Sequence, residues 1–291
     1  MTTPAAALRQ LLQLPGIRVM PCCFDALSAR LIERAGFALT FMSGFAVSAA
    51  RLGLPDTGLI SYGEMLDQGR EITAAVRIPV IGDADTGYGN PLNVKRTVVG
   101  YARAGFACAM IEDQLAPKRC GHTAGKQVVS RGEALERIRA AVEAREEGAD
   151  VLILARTDAR ATHGLDEALW RARAFADLGA DLVFVEAPRS EAEMRRVCQE
   201  VPVPSLANMV EGGDTPLLPP ERLEALGYRI AAYPLTLLSA SVRAMQEALA
   251  RLSAGQPAER LLDFAELRAL LGFPAYDAAL ARYARGGEET P

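Results

Sequence analysis

Residues 102–113 read ARAGFACAMIED: a helix end, a glycine, then an unbroken apolar run that stops at two acids. The phrase recurs as ERAGFALTFMSG (33–44), ADLGADLVFVEA (176–187) and EALGYRIAAYP (224–234), and with small changes as REEGADVLILARTD (145–158). In each copy a glycine follows an amphipathic segment, where a helix C-terminus needs a residue that enters the left-handed region. The run after it is continuously apolar, the pattern of a parallel strand covered on both faces. Three further runs, IRVMPC (17–22), IPVIGDADTG (78–87) and VPVPSLANM (201–209), complete a series of eight. Alternating strands and helices with right-handed crossovers form either an open doubly wound sheet or a closed barrel. No GxGxxG follows the first strand, which disfavours a dinucleotide-binding sheet. Eight units within 291 residues predict an α/β fold, a (β/α)8 barrel in one domain over 1–291, with a C-terminal helical extension over about 251–285.

Composition narrows the function. Half the residues are apolar, enough for a sizeable core, and the formal net charge of −4 mixes both signs along the chain. There is no basic field for nucleic acid or an acidic membrane surface. The N-terminus lacks the basic-then-apolar pattern of a signal peptide, and no run approaches the roughly 20 apolar residues of a membrane span. A cytosolic protein acting on a small molecule is expected. The five cysteines, Cys22, Cys23, Cys108, Cys120 and Cys198, are too scattered for a disulfide framework.

Barrels carry their chemistry at the C-terminal ends of the strands. The exits here are Ser43 and Gly44, Asp83 and Asp85, Glu112 and Asp113, Arg156 and Asp158, Glu186, Asn208 and Tyr233. A single polar exit is an ordinary loop residue; this many at one mouth make a site. Asp83, Asp85 and Glu112 form an oxygen-only set that suits Mg²⁺ or Mn²⁺, whereas singly they would read as turn or helix caps. Arg156 closes a buried strand, either in an ion pair with Asp158 or Glu186 or as a fork for a substrate carboxylate. Asn208 can donate to a carboxylate, and Ser43–Gly44 offers backbone N–H groups to an anion.

The loop beyond the fourth strand contains PKRCGH (117–122) and runs roughly 20 residues, long enough to serve as a lid. Lys118, Arg119 and His122 surround Cys120 with positive charge, which favours a reactive thiolate. The other four cysteines read as small apolar fillers. With only His163 besides His122 and no CxxC, zinc is disfavoured.

DADTGYGN, EDQ…PKRCGH, ARTDA, FVEAPR and NMVEGGDTPL occur in this order, and from about residue 17 to 250 the chain resembles the isocitrate lyase/phosphoenolpyruvate mutase superfamily. K-[KR]-C-G-H is the signature of its carbon–carbon lyases. The resemblance implies a homotetramer with a C-terminal helix exchanged between paired subunits, and an essential Mg²⁺ for which Mn²⁺ can substitute. It implies a metal centre at Asp83 and Asp85, with Asp56 and Glu112 as outer carboxylates. It assigns Cys120, Arg156, His122 and Glu186 to catalysis, and Ser43, Gly44, Phe45, Gly121, Asn208, Tyr233 and Pro234 to the substrate. The implied reaction splits the C2–C3 bond of a 2-hydroxy dicarboxylate, with Cys120 protonating the departing enolate carbon.

Methylisocitrate lyases carry an arginine six residues after the tyrosine of YPL; here that position is Ser239. The departure favours a 2-alkylmalate over a tricarboxylate. Oxaloacetate hydrolysis or decarboxylation, 2-methylisocitrate cleavage, phosphonomutase chemistry and a non-catalytic metabolite-binding barrel are the alternatives.

Overall fold

A computed structural model describes residues 2–120 and 125–285. Gly121 and His122 lie outside the described residues. The chain divides into two compact units, one up to Ser239 and one from Ala240 on.

The first unit holds eight strands among its described residues: β1 Arg18–Cys23, β2 Thr40–Met42, β3 Val80–Asp83, β4 Cys108–Glu112, β5 Leu152–Thr157, β6 Leu182–Val185, β7 Leu206–Asn208 and β8 Ile230–Tyr233. All pairings are parallel, in the order β6-β5-β4-β3-β2-β1-β8-β7. A bridge from Val183 to Ser205 joins the two ends, so the sheet closes on itself. The eight apolar runs are the eight strands. The recurring glycine behaves as its position predicts, with φ of 88° at Gly36, 89° at Gly105, 112° at Gly148, 102° at Gly179 and 112° at Gly227.

Side-chain parity decides what reaches the mouth. Leu152 and Leu154 of β5 belong to the interior cluster, and so do Cys108 and Met110 of β4, while Ile153, Ala109 and Ile111 pack outward under the helices. Two residues further along each inward row stand Arg156 and Glu112. The rows through Ile81, Leu182 with Phe184, and Leu206 run on to Asp83, Glu186 and Asn208 in the same way. The barrel interior is therefore apolar for most of its depth and polar in its last layer. Ala5 and Leu8, from the N-terminal helix Pro4–Gln13, belong to the same interior cluster.

Outside β3 the packing leaves no spare volume. Tyr101 and Phe106 stack with ring centroids 4.6 Å apart, and a Cβ on Gly82 would lie 2.6 Å from Tyr101 and 2.7 Å from Phe106. Tyr101 Oη also donates to the carbonyl of Asp83 at 2.6 Å, so this packing fixes a strand end that carries a site residue. Gly82→Ala should cost about 1–3 kcal/mol through overpacking. Chemical denaturation measures it, and an unchanged midpoint would refute the packing argument.

In the second unit, Val242, Met245, Leu249 and Leu252 form an exposed apolar stripe at helical spacing on Thr236–Ser253. The helices Phe264–Leu271 and Phe273–Arg285 follow. No helix among the described residues is long and apolar enough to cross a membrane.

Candidate active site

A cavity of about 240 Å³ opens at the C-terminal ends of the strands. One wall is acidic: Asp56, Asp83 and Glu112. Arg156, Glu186 and Asn208 form a second, and Ser43, Phe45 and Pro234 a third. Cys120 and Arg119 line it from the loop after β4. Most of the residues expected at the site are thus brought together.

Among the described residues assigned to metal, catalysis or substrate, three do not line it: Asp85, which pairs with Lys118, and Tyr233 and Gly44. Tyr233 follows the outward parity of Ala231 and lines an apolar groove on the barrel's outside with Leu31, Phe37 and Leu237. Gly44 is at the mouth, but its N–H donates to Asp83 Oδ2 at 3.2 Å instead of facing the cavity. A Cβ at Gly44 would approach that same oxygen to 2.6 Å, so the backbone must be bare there. Ser43 Oγ accepts from the N–H of Ala46 and caps the short helix Gly44–Val47.

The acidic wall is more intricately paired than its spacing suggests. Asp83 ends β3, and Asp85 lies beyond it at φ 49°, a left-handed conformation that aspartate tolerates. The loop then contributes Lys118, which is buried with Nζ 2.5 Å from Asp56 Oδ1 and 2.7 Å from Asp85 Oδ1. Neither contact has hydrogen-bond geometry, and Asp56 Oδ1, Asp85 Oδ1 and Glu112 Oε1 are buried without a hydrogen-bond partner. Burial pushes the Asp56 and Glu112 carboxyls up. Burial and then the charge of Asp85 raise Asp83 to about 6. Burial opposes the charge of Lys118, but Asp85, Asp83 and Asp56 outweigh it and hold the ammonium above its ordinary range.

Among the described residues no three His, Cys, Asp or Glu side chains form a ready metal cluster. The Lys118 ammonium, between Asp56 and Asp85, satisfies part of the negative charge. Glu112 Oε1, buried without a hydrogen-bond partner, and the neighbouring Asp83 carboxylate still suit a hard cation that uses one or two carboxylates and keeps its waters.

Arg156 is held by three acids. Nε lies 2.8 Å from Asp158 Oδ2 and 3.3 Å from Glu112 Oε2, and Nη2 lies 3.0 Å from Glu186 Oε2. Behind it Asp158 also pairs with Lys126 at 2.8 Å, and its N–H donates to Asp113 Oδ1 at 2.9 Å. Asp113 in turn pairs with Arg171 at 3.0 Å. The ion pairs and the cavity-facing fork expected of Arg156 therefore coexist. Asn208 Nδ2 is 3.4 Å from both Glu186 oxygens, which orients its amide.

Residues 8–253 match the family described as phosphoenolpyruvate phosphomutase. The chain belongs to that family. Within it, the 2,3-dimethylmalate lyase of Eubacterium barkeri is 43% identical over 286 residues, spanning 97% of this chain and 99% of the relative. The solved structure of an oxaloacetate acetylhydrolase with the inhibitor 3,3-difluorooxalacetate superposes with a TM-score of 0.92 at 37% identity, covering 99% of each chain. A phosphonopyruvate hydrolase solved with oxalate and Mg²⁺ superposes with a TM-score of 0.85 at 29% identity, covering 97% of this chain and 99% of that one.

Sequence reasoning missed three features of this site. The burial of Lys118 between Asp56 and Asp85 is not legible in PKRCGH, because a loop has no periodicity from which to read where a side chain points. Cys22, read as core filler, lines the cavity although it is buried. Phe41, Met110, Phe184 and Leu206 give the cavity an apolar floor, which the inward rows of β2, β4, β6 and β7 would have revealed.

Proposed function

We propose that this chain is a Mg²⁺-dependent carbon–carbon lyase that cleaves a 2-hydroxy dicarboxylate of the 2-alkylmalate type into an α-keto acid and a carboxylate. The observation that carries the reading is one cavity holding the buried carboxylates of Asp56, Asp83 and Glu112, the Arg156 guanidinium and the Cys120 thiol over an apolar floor. Asp83 and Asp85, with Asp56 and Glu112 around them, would hold the cation, which would supply Lewis acidity toward the substrate hydroxyl, and the cavity-lining Glu186 carboxylate takes up the proton that the hydroxyl loses. Arg156 and Asn208 hold and orient the oxygens of the dicarboxylate. The C2–C3 electron pair leaves with the carboxylate fragment as an enolate, and Cys120 Sγ donates the proton that forms its new C–H bond. His122 and Gly121 belong to the same loop and to the same proposal. The first test is a panel of 2-alkylmalates, 2-methylisocitrate and oxaloacetate, each with and without Mg²⁺.

The lining supports a dicarboxylate with an alkyl group. Lys118 is committed to Asp56 and Asp85, so the cations that line the cavity for a substrate are the buried Arg156 and, from the loop, the exposed Arg119. A third carboxylate would have only the exposed Arg119 to pair with, a solvated contact that offsets its desolvation poorly. The floor of Phe41, Met110, Phe184 and Leu206 instead takes methyl groups. 2-Alkylmalates should exceed 2-methylisocitrate in kcat/KM by about 10²-fold. Equal turnover would return the chain to the methylisocitrate lyases.

The likeness to oxaloacetate acetylhydrolase supports a second reading, hydrolysis of oxaloacetate in the same cavity. Oxalate plus acetate among the products distinguishes it from decarboxylation, which yields pyruvate. The exposed stripe of Val242, Met245, Leu249 and Leu252, and the apolar groove beside Leu31 and Phe37, support a homotetramer that exchanges its C-terminal helices, and a cytosolic location is part of the same proposal.

A further inference from the structure

The residue that fixes the reactive loop is Gln114, two positions beyond the end of β4. Its peptide forms an antiparallel bridge with Val128. Leu115 N–H donates to Gln127 O at 2.8 Å and Val129 N–H to Asp113 O at 2.9 Å, so the two ends of the loop are stitched into a short ladder. Arg137 reinforces this stem from the following helix, donating to the carbonyls of Gln114 at 2.7 Å and Glu112 at 3.2 Å.

The side chain of Gln114 turns into the loop and is 1% exposed. Nε2 donates to Arg119 O at 2.8 Å, and Oε1 accepts from Arg119 N–H at 2.9 Å. The carboxamide thus pairs with one residue as a neighbouring strand would, engaging both backbone groups of Arg119. Because those groups are an unambiguous donor and acceptor, they also fix the orientation of the amide. Arg119 is flanked by Lys118, anchored on Asp56 and Asp85, and by Cys120, which lines the cavity. Two anchors on consecutive residues define the direction in which the chain enters Cys120. A carboxamide can both donate and accept at this place; a carboxylate or an apolar side chain of the same length cannot.

We propose that Gln114 is a positioning residue that holds the Cys120 thiol over the cavity by clamping the backbone of Arg119. The inference rests on the proposed role of Cys120 and adds the part of the protein that aims it.

Two variants test it: Gln114→Glu, which keeps the acceptor and the size, and Gln114→Met, which removes both hydrogen bonds. Each should lower kcat by about 10–10²-fold, the range expected when a reacting group is misplaced by an ångström or less. The affinities for Mg²⁺ and for oxalate should stay near wild type, because neither depends on the clamp. Combined with Cys120→Ser, neither variant should slow the enzyme further, since a clamp with nothing to aim has no effect on rate. Iodoacetamide should alkylate Cys120 of both variants equally fast with and without Mg²⁺ and oxalate, whereas the wild-type thiol is protected. Should one variant fail to fold, the other decides. Wild-type kcat, intact protection of Cys120, or a double-variant loss equal to the product of the single losses would each overturn the proposal. If Cys120→Ser alone keeps wild-type kcat, the reading of the thiol fails, and the alkylation measurement still decides whether Gln114 positions it.

Discussion

Exhaustive chelation should reduce turnover to background, and Mg²⁺ or Mn²⁺ should restore it. Six buried carboxylates (Asp56, Asp83, Asp85, Glu112, Asp158 and Glu186) share this site with three buried cations, Lys118, Lys126 and Arg156. Buried charge without a partner costs several kcal/mol, so an excess of acid must be protonated or neutralised by an ion. The burial that raises Asp56, Asp83 and Glu112 is the protonation response. A divalent cation is the other, and only oxygen donors are offered to it, which selects a hard ion over zinc. Because the ion would bind the native state alone, saturating Mg²⁺ at about 100 times its Kd should stabilise the chelated protein by about 2.7 kcal/mol. Calorimetric titration and a thermal melt read this without reference to any substrate. Full activity in chelator, with no metal detected by mass spectrometry, would overturn the assignment of the acidic wall.

How far the sequence reached is clearest at two strand ends. The glycine-and-apolar-run phrase repeats because each βα unit solves the same problem of ending a helix and entering a buried strand, and the same problem selects the same residues. Parity then extends this to the site: a row such as Leu152 and Leu154 facing the interior obliges Arg156 to face the mouth. The same rule sends Tyr233 outward, because Ile230 and Ala232 occupy the inward row of β8. Counting by twos separates Tyr233 from the exits whose side chains reach the mouth. Beyond the strand ends the rule lapses. Asp85 turns left-handed at φ 49°, and nothing in its spacing from Asp83 announces the ammonium of Lys118 as its partner. Contacts between a loop and a strand end depend on the path of the loop, and at Lys118 and Arg119 that path is set by Gln114 and by the carboxylates of Asp56 and Asp85.

Cys120→Ser should cost about 10²–10⁴ in kcat, the contribution of a positioned proton donor. The alternative, a thiol that merely packs, predicts nearly unchanged turnover and a small change in stability. The structure separates Cys120 from the other four cysteines. Cys22, Cys23 and Cys108 are buried, and burial pushes their thiols up, that of Cys23 to about 12. Burial raises the half-buried Cys198 to about 12 as well. Cys120 lines the reaction cavity from a partly exposed loop that also carries Lys118 and Arg119. Its thiol should therefore be alkylated first, since exposure and thiolate character govern that rate. A serine hydroxyl has nearly the same size and can accept or donate a hydrogen bond, but at neutral pH it is a far poorer acid. The substitution thus removes the proton and little else. Substrate affinity should survive, because the substitution leaves Arg156, Asn208 and the acidic wall unaltered and Lys118 keeps its own anchors on Asp56 and Asp85. The expected result is a large fall in kcat, with the Kd for oxalate in the presence of Mg²⁺ near that of the wild type. Oxalate and Mg²⁺ should likewise slow alkylation of the wild-type thiol by closing the loop over the cavity. A Cys120→Ser enzyme that turns over at the wild-type rate would make the thiol a bystander and leave the enolate without its acid.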